Sequence, residues 1–128
     1  MTKSTRTRLL RAARAAAKNA YVPFSKFKVG AAVLTANGRL FSGCNVENSS
    51  YGLTICAERV AVFKAVSAGQ RRILALLVYA DTGKLTPPCG ACLQVLNEFS
   101  EDAQIVLSNG SSARAYRLRE LLPLGFRF

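Results

Sequence analysis

Ile73 to Ala80 is a run of eight consecutive apolar residues, and it constrains the fold more than any other feature. A membrane helix needs roughly twenty such residues, so the run is too short to span a bilayer. A strand with one wet face would alternate, and this one does not. It reads as a central strand covered on both faces. Cover is available. Cys56 to Ala68 is helical in pattern and nearly all apolar, so it should be buried, with Gly69 ending it. Gly90 to Phe99 reads as a second core helix. Thr7 to Tyr21 is a third, with Leu9, Leu10, Ala13, Ala16, Ala17 and Ala20 at helical spacing and Arg8, Arg11, Arg14 and Lys18 opposite. Pro23 and Ser25 break it.

The remaining strands come in pairs around turns. Phe27 to Thr35 and Arg39 to Val46 flank Asn37-Gly38, a hairpin signal because both central turn residues must take positive φ. Gln104 to Leu107 and Ala113 to Tyr116 flank Asn109-Gly110. Asn48 to Thr54 and Asp81 to Pro88 read as loops, and Leu118 to Leu122 as a last helical turn closed by Pro123. No repeat, linker or low-complexity tract interrupts the series. The order predicts one domain over residues 1 to 128. Its class is α/β, a three-layer α/β/α sandwich on a mixed five-stranded sheet.

Composition narrows the function. With 50% hydrophobic and 20% charged residues the chain can build a core, which excludes intrinsic disorder. Four cysteines are too few for a disulfide-dense secreted scaffold. No histidine is present, which excludes histidine-dependent triads. The net charge is +11, and residues 1 to 46 hold nine basic residues and no acid. Such a surface can attract nucleic acid, anionic lipid or an acidic substrate. The reading preferred here is a solvated basic face, with no nucleic-acid or membrane partner expected. The Arg-rich start also resembles a transit peptide, but Leu9, Leu10 and Ala13 supply a core face, so a structural helix is expected. No apolar h-region of a secretory signal is present, and the expected compartment is the cytoplasm.

The chemistry sits in three cysteines. Cys89-Gly-Ala-Cys92 follows Pro87-Pro88 at the start of one predicted helix, and Cys56 opens the other core helix. Helix N-termini carry unpaired N–H groups and partial positive charge, which stabilise thiolates. Thiolates bind zinc, and three protein ligands with an open fourth position is the catalytic pattern. A thioredoxin-type redox pair is the rival reading, and it leaves Cys56 without a task. Cys44 is expected to be a small buried thiol. Glu58 lies on the first turn of the apolar helix, where a carboxylate is costly to bury without work or a partner. Beside a metal-bound water it can shuttle protons. Three thiolates on Zn²⁺ leave one negative charge, which Arg59 is placed to drain by hydrogen bonding the sulfurs.

Cys56-Ala57-Glu58-Arg59 with Pro88-Cys89-Gly90-Ala91-Cys92 resembles the zinc deaminase signature. Phe24-Ser25-Lys26-Phe27-Lys28-Val29-Gly30-Ala31-Ala32, Gly43-Cys44-Asn45-Val46-Glu47-Asn48 and Glu120-Leu121-Leu122-Pro123 extend the resemblance over essentially the whole chain, to the small homotetrameric cytidine deaminases. It implies hydrolytic deamination of cytidine and deoxycytidine in pyrimidine salvage, with one zinc per chain on Cys56, Cys89 and Cys92. Glu58 would be the proton shuttle and Arg59 would balance the thiolates. Asn45 and Glu47 would bind the ribose 3′-hydroxyl, Phe27 would pack on the base, and the Ala57 N–H would meet the pyrimidine carbonyl. Tyr51 and Phe126 would complete a neighbouring subunit's pocket in a homotetramer. Leu93 departs from the arginine often found after the second cysteine of the pair.

Two other functional classes share parts of this pattern. A nucleic-acid-binding zinc module would need a closed metal site and exposed basic or aromatic readers. A deaminase that edits RNA or DNA shares the chemistry but usually carries histidine as first ligand.

Overall fold

The computed structural model describes residues 1–128. Its strands are β1 (Val29–Thr35), β2 (Leu40–Cys44), β3 (Ile73–Ala80), β4 (Gln104–Ser108) and β5 (Ala113–Arg117). They form one sheet in the order β2-β1-β3-β4-β5, so the apolar run is the middle strand, as its pattern requires. β3 and β4 pair in parallel, and the other three pairings are antiparallel. The helices are α1 (Lys3–Ala17), α2 (Ala57–Ser67), α3 (Gly90–Glu98) and the short α4 (Leu118–Leu121). α1 packs on one face of the sheet, and α2 and α3 lie on the other. This is the expected three-layer α/β/α arrangement on a mixed five-stranded sheet.

Strand alternation divides the core. Ala31, Val33, Leu76, Val78, Ile105 and Leu107 point toward α2 and α3. Ala32, Ala75, Leu77, Tyr79 and Val106 point toward Leu9, Ala13 and Ala17 of α1. The α1 stripe is therefore a structural layer, as its apolar spacing predicts. No helix is long and apolar enough to cross a membrane.

Two glycines set how closely the helices approach. Gly30 lies beneath α1, where a Cβ would sit 1.9 Å from the backbone oxygen of Ala13. Gly43 lies beneath α2, where a Cβ would sit 2.7 Å from the Ala61 nitrogen. Backbone cannot yield as a flexible side chain can, so Gly30→Ala must push α1 off the sheet. The expected cost is at least the ~1–3 kcal/mol typical of overpacking, read as a lower urea midpoint. An unchanged midpoint would mean that α1 is not seated as described.

Several expectations need correction. α1 begins at Lys3 and ends at Ala17 rather than running from 7 to 21. Thr2 caps it, accepting a hydrogen bond from the Thr5 N–H at 3.1 Å. β1 starts at Val29 instead of Phe27, because Lys26 takes φ 60° and turns the chain just before it. β2 stops at Cys44 rather than Val46. Beyond it Val46 makes isolated bridges to Tyr21 and Ile55. Tyr51–Leu53 forms a 3₁₀ turn within the expected loop. Cys44 is half-buried rather than a core thiol, because it lies on the edge strand. α2 buries one face only: Ala57, Glu58, Ala61, Val62 and Ala65 are covered, while Phe63 is 47% exposed. Leu74 of β3 is also exposed, so the cover over that strand begins one residue later on its outer side.

Candidate metal centre and active site

The three cysteines meet because two helices begin at the same place. Cys56 is the N-cap of α2 and Cys89 is the N-cap of α3. Side chains at the N-cap and at the third helical residue lie side by side, the relation used by a capping box. Cys92 holds that third position in α3, and its Sγ is 3.5 Å from that of Cys89. Arg59 holds it in α2, and its Nη2 donates to the Cys56 Sγ at 3.5 Å. Between the helices, the Cys56 and Cys89 sulfurs are 4.0 Å apart.

This trio fits zinc. Tetrahedral Zn–S bonds of about 2.3 Å put neighbouring sulfurs about 3.8 Å apart, and all three Sγ atoms lie within 4.8 Å of one another. All four cysteines are free. Protonation points the same way. The Cys56 thiol is pulled down to about 5 by hydrogen bonding from Cys92, then by Arg59. The Cys92 thiol is pushed up, because its proton is shared with Cys56 and because it is buried. Three anions this close repel one another, and a dication is what allows all three to ionise together. The Arg59 guanidinium is held at the sulfurs by its Nη2 contact to Cys56, while its Nε is buried without a hydrogen-bond partner.

Glu58 occupies the second helical position of α2 and is 5% exposed. Burial is the main reason its carboxyl is pushed up to about 7, with the nearby Cys56 charge adding to the effect and Arg59 opposing it. Its neighbour Ala57 opens the helix, so its N–H has no intrahelical acceptor and is free to meet a ligand.

A cleft of about 280 Å³ lies over this floor. Cys56, Ala57, Glu58, Cys89, Phe27, Asn45 and Glu47 all line it. Cys92 sits behind the other sulfurs at 2% exposure, as a ligand at the base should. Asn45 is locked by its own backbone partners: Nδ2 donates to the Phe27 oxygen at 2.8 Å, and Oδ1 accepts from the Val29 N–H at 2.9 Å. Glu47 Oε1 accepts from the N–H groups of Phe24 and Ser25 at 2.9 and 3.1 Å. Both backbone donors go to Oε1 rather than Oε2. Ser25, through its side chain first, and the Phe24 N–H hold the Glu47 carboxyl below its ordinary value, so it stays charged.

Tyr51 and Phe126 lie outside the cleft of their own chain. Tyr51 stacks edge-on against Phe24 at 5.3 Å beside a neighbouring depression. Phe126 is held at α3, where its backbone oxygen accepts from Gln94 at 3.0 Å. The cleft also contains residues that the sequence reading did not single out: Ser25, Val29, Thr54, Ile55, Thr86 and Pro87. Thr54-Ile55 and Thr86-Pro87 each lie just before a helix-opening cysteine, and that adjacency was the available signal.

The family described as the cytidine and deoxycytidylate deaminase zinc-binding region matches residues 3–108. The chain belongs to the cytidine and deoxycytidylate deaminase family. Within that family it resembles the cytidine deaminase of Halalkalibacterium halodurans, 47% identical over 123 residues, covering 94% of this chain and 93% of that protein. It is 47% identical over 111 residues to the cytidine deaminase of Mycobacterium tuberculosis, covering 87% and 81% of the two chains. The crystal structure of the cytidine deaminase from Burkholderia pseudomallei superposes with a TM-score of 0.89 at 45% identity, covering 98% of this chain and all of that one. For a member of this deaminase family, the sulfur trio is a zinc site.

Proposed function

We propose that the chain, as a single cytidine deaminase-like domain, hydrolyses cytidine and deoxycytidine to uridine and deoxyuridine and releases ammonia. The observation that carries this reading is a desolvated Glu58 carboxyl beside a three-thiolate cluster on the floor of one cleft. Relatives named cytidine deaminase support the substrate class.

Held by Cys56, Cys89 and Cys92, zinc would strongly acidify a bound water, bringing its ionisation down to near neutral pH. Everything else falls to the chain's own groups. Glu58, with a pKa of about 7, can hold a proton or release it near neutrality at little cost. As the water oxygen bonds to C4, Glu58 takes the two protons that water gives up in turn, passing the first to ring N3 and the second to the amino nitrogen at C4. The C4–N bond then breaks and the nitrogen leaves as ammonia, while the water oxygen becomes the uracil carbonyl. Arg59 holds the Cys56 sulfur and spreads its charge. Phe27 packs on the base, the Ala57 N–H meets the pyrimidine carbonyl, and Asn45 with Oε2 of Glu47 receives the ribose 3′-hydroxyl.

This reading predicts a sharp limit on substrate. A 3′-phosphate facing Glu47 sets two anions together, worth about 1 kcal/mol at 4 Å in water and about 4 at a protein-like dielectric. It also leaves an acceptor without its donor, at ~1–3 kcal/mol. Loss of cytidine absorbance should therefore be fast with cytidine and deoxycytidine. Together these make about 2–7 kcal/mol, so turnover should be slower by about thirtyfold to 10⁵-fold with 3′-CMP, and nearly absent with an internal oligonucleotide cytidine. Efficient turnover of the oligonucleotide would assign the cleft to an editing enzyme instead.

The same reading makes the protein a homotetramer. Phe63, Leu124 and Phe126 are exposed on one chain, with Leu124 at 94%, and an assembly would cover them. Tyr51 and Phe126 would then complete a neighbouring subunit's cleft. Light scattering should give the mass of four chains, and a fully active 13.8 kDa species would remove that role. The reaction fits pyrimidine salvage in the cytoplasm.

A further inference from the structure

Arg14 is built into its place more firmly than a solvated helix face requires. Its guanidinium lies over the Tyr79 ring, 5.1 Å from the centroid. On another side it meets Gly110, where φ is +90° and a Cβ would stand 2.3 Å from the Arg14 Nη2. A residue with a side chain at 110 would displace the guanidinium, so ring and bare backbone together hold it.

Arg14, Lys18, Lys28, Tyr79, Asp81 and Ala17 line a cavity of about 340 Å³, larger than the zinc-side cleft and separate from it. Arg14 and Lys18 converge because residues four apart share one side of a helix. Lys28 joins them from the segment before β1. The chain has 18 basic residues, yet its one ion pair is Arg117 with Asp102 at 2.7 Å. None of the three cavity cations is therefore paired with a carboxylate, and Asp81 lines the wall without forming an ion pair. Three cations and one anion leave an excess of two positive charges in one concavity.

We infer that this cavity is a second binding site, which takes the phosphate group of a phosphomonoester. Such a group carries about −1.5 to −2 charges at neutral pH, matching the excess. The planar Arg14 fork, already oriented, suits two phosphate oxygens at once, and the lysines add point charge. Arg14 and Lys18 also border a neighbouring hollow with Arg11, but only this one is closed by a cation from a second segment, Lys28, and three cations around one hollow suit a compact dianion. The occupant would touch Lys28, whose two neighbours Phe27 and Val29 line the cleft. Asp81, by contrast, repels the anion from the cavity wall and stands at the head of the loop that leads to Thr86 and Pro87.

Calorimetric titration of the zinc-loaded protein at fixed, near-physiological ionic strength tests this with inorganic phosphate, ribose 5-phosphate and a short single-stranded oligonucleotide. The expected result is saturable binding of one phosphate group per chain at millimolar concentration. Arg14→Gln and, separately, Lys28→Gln should each weaken it about tenfold or more, the loss of one charge-assisted contact. Arg8→Gln, which lies on the same helix but does not line the cavity, should leave it unchanged. Equal affinity for phosphate and ribose 5-phosphate would identify free phosphate as the occupant, and tighter binding of the sugar phosphate would identify a phosphorylated metabolite. No saturable binding, or equal weakening by Arg8→Gln, would overturn the site. Tighter binding of the oligonucleotide through Arg14 and Lys28 would overturn it in favour of a nucleic-acid face.

Discussion

Replacing Glu58 by Gln is expected to lower kcat by about 10²- to 10⁴-fold while zinc content and fold persist. That range is what a positioned proton-transfer group contributes, equivalent to about 3–5 kcal/mol of barrier. Gln keeps the shape and the hydrogen-bonding edges but carries no transferable proton. Stability separates this from simple damage. Burial raises the Glu58 carboxyl to about 7 in the metal-free fold, whereas an unfolded glutamate titrates near 4.3. A carboxyl whose pKa rises on folding favours the fold below its unfolded value, and that contribution is lost as pH rises through the folded value. At pH 8 the wild type must bury a charge that the amide does not carry. The metal-free variant should therefore melt no lower than the metal-free wild type. Near-normal turnover would show that another group moves the proton. A large drop in melting temperature would show that Glu58 is mainly structural.

The second large effect is on the metal. Cys89→Ala removes a ligand that is exposed rather than core, so the fold should survive. Two sulfurs cannot hold zinc as three do, and after dialysis the variant should contain far less than one zinc per chain with no measurable turnover. Added zinc should raise the melting temperature of the wild type, because a ligand that binds only the folded state stabilises it, and should leave that of Cys89→Ala nearly unchanged. Full zinc stoichiometry in the variant would sink the assignment of this ligand. The comparison is cleaner here than at Cys92, which is 2% exposed and whose loss would also open a cavity.

Much of this was legible from residue types, and the reasons differ by place. Ile73–Ala80 was visible because a strand covered on both faces has no polar residue to blur its ends. The start of α1 was not, because residues 3 to 8 are polar or charged and carry no apolar period; only the Thr2 cap marks it. The exposed side of α2 was hidden for the opposite reason. A helix apolar nearly all round does not say which face the chain buries and which it leaves for a partner. At the site, Cys56, Glu58, Cys89 and Cys92 announce themselves by chemistry and spacing. Thr54, Ile55, Thr86 and Pro87 do not, since their side-chain types carry no chemistry and only their position before a helix start puts them in the wall. The Arg14 cavity was hidden too. The basic stripe is plain in the sequence, but its convergence on Tyr79 and Gly110 depends on β3 and on the turn between β4 and β5.

Metal removal and return tests the central claim most directly. Cytidine absorbance should be followed with the same protein before chelation, after it, and after adding zinc back in steps. The account predicts that turnover disappears with the metal and returns in proportion to zinc, reaching a plateau at one equivalent per chain, with uridine and ammonia formed in equal amounts. Undiminished conversion of cytidine by zinc-free protein would contradict it.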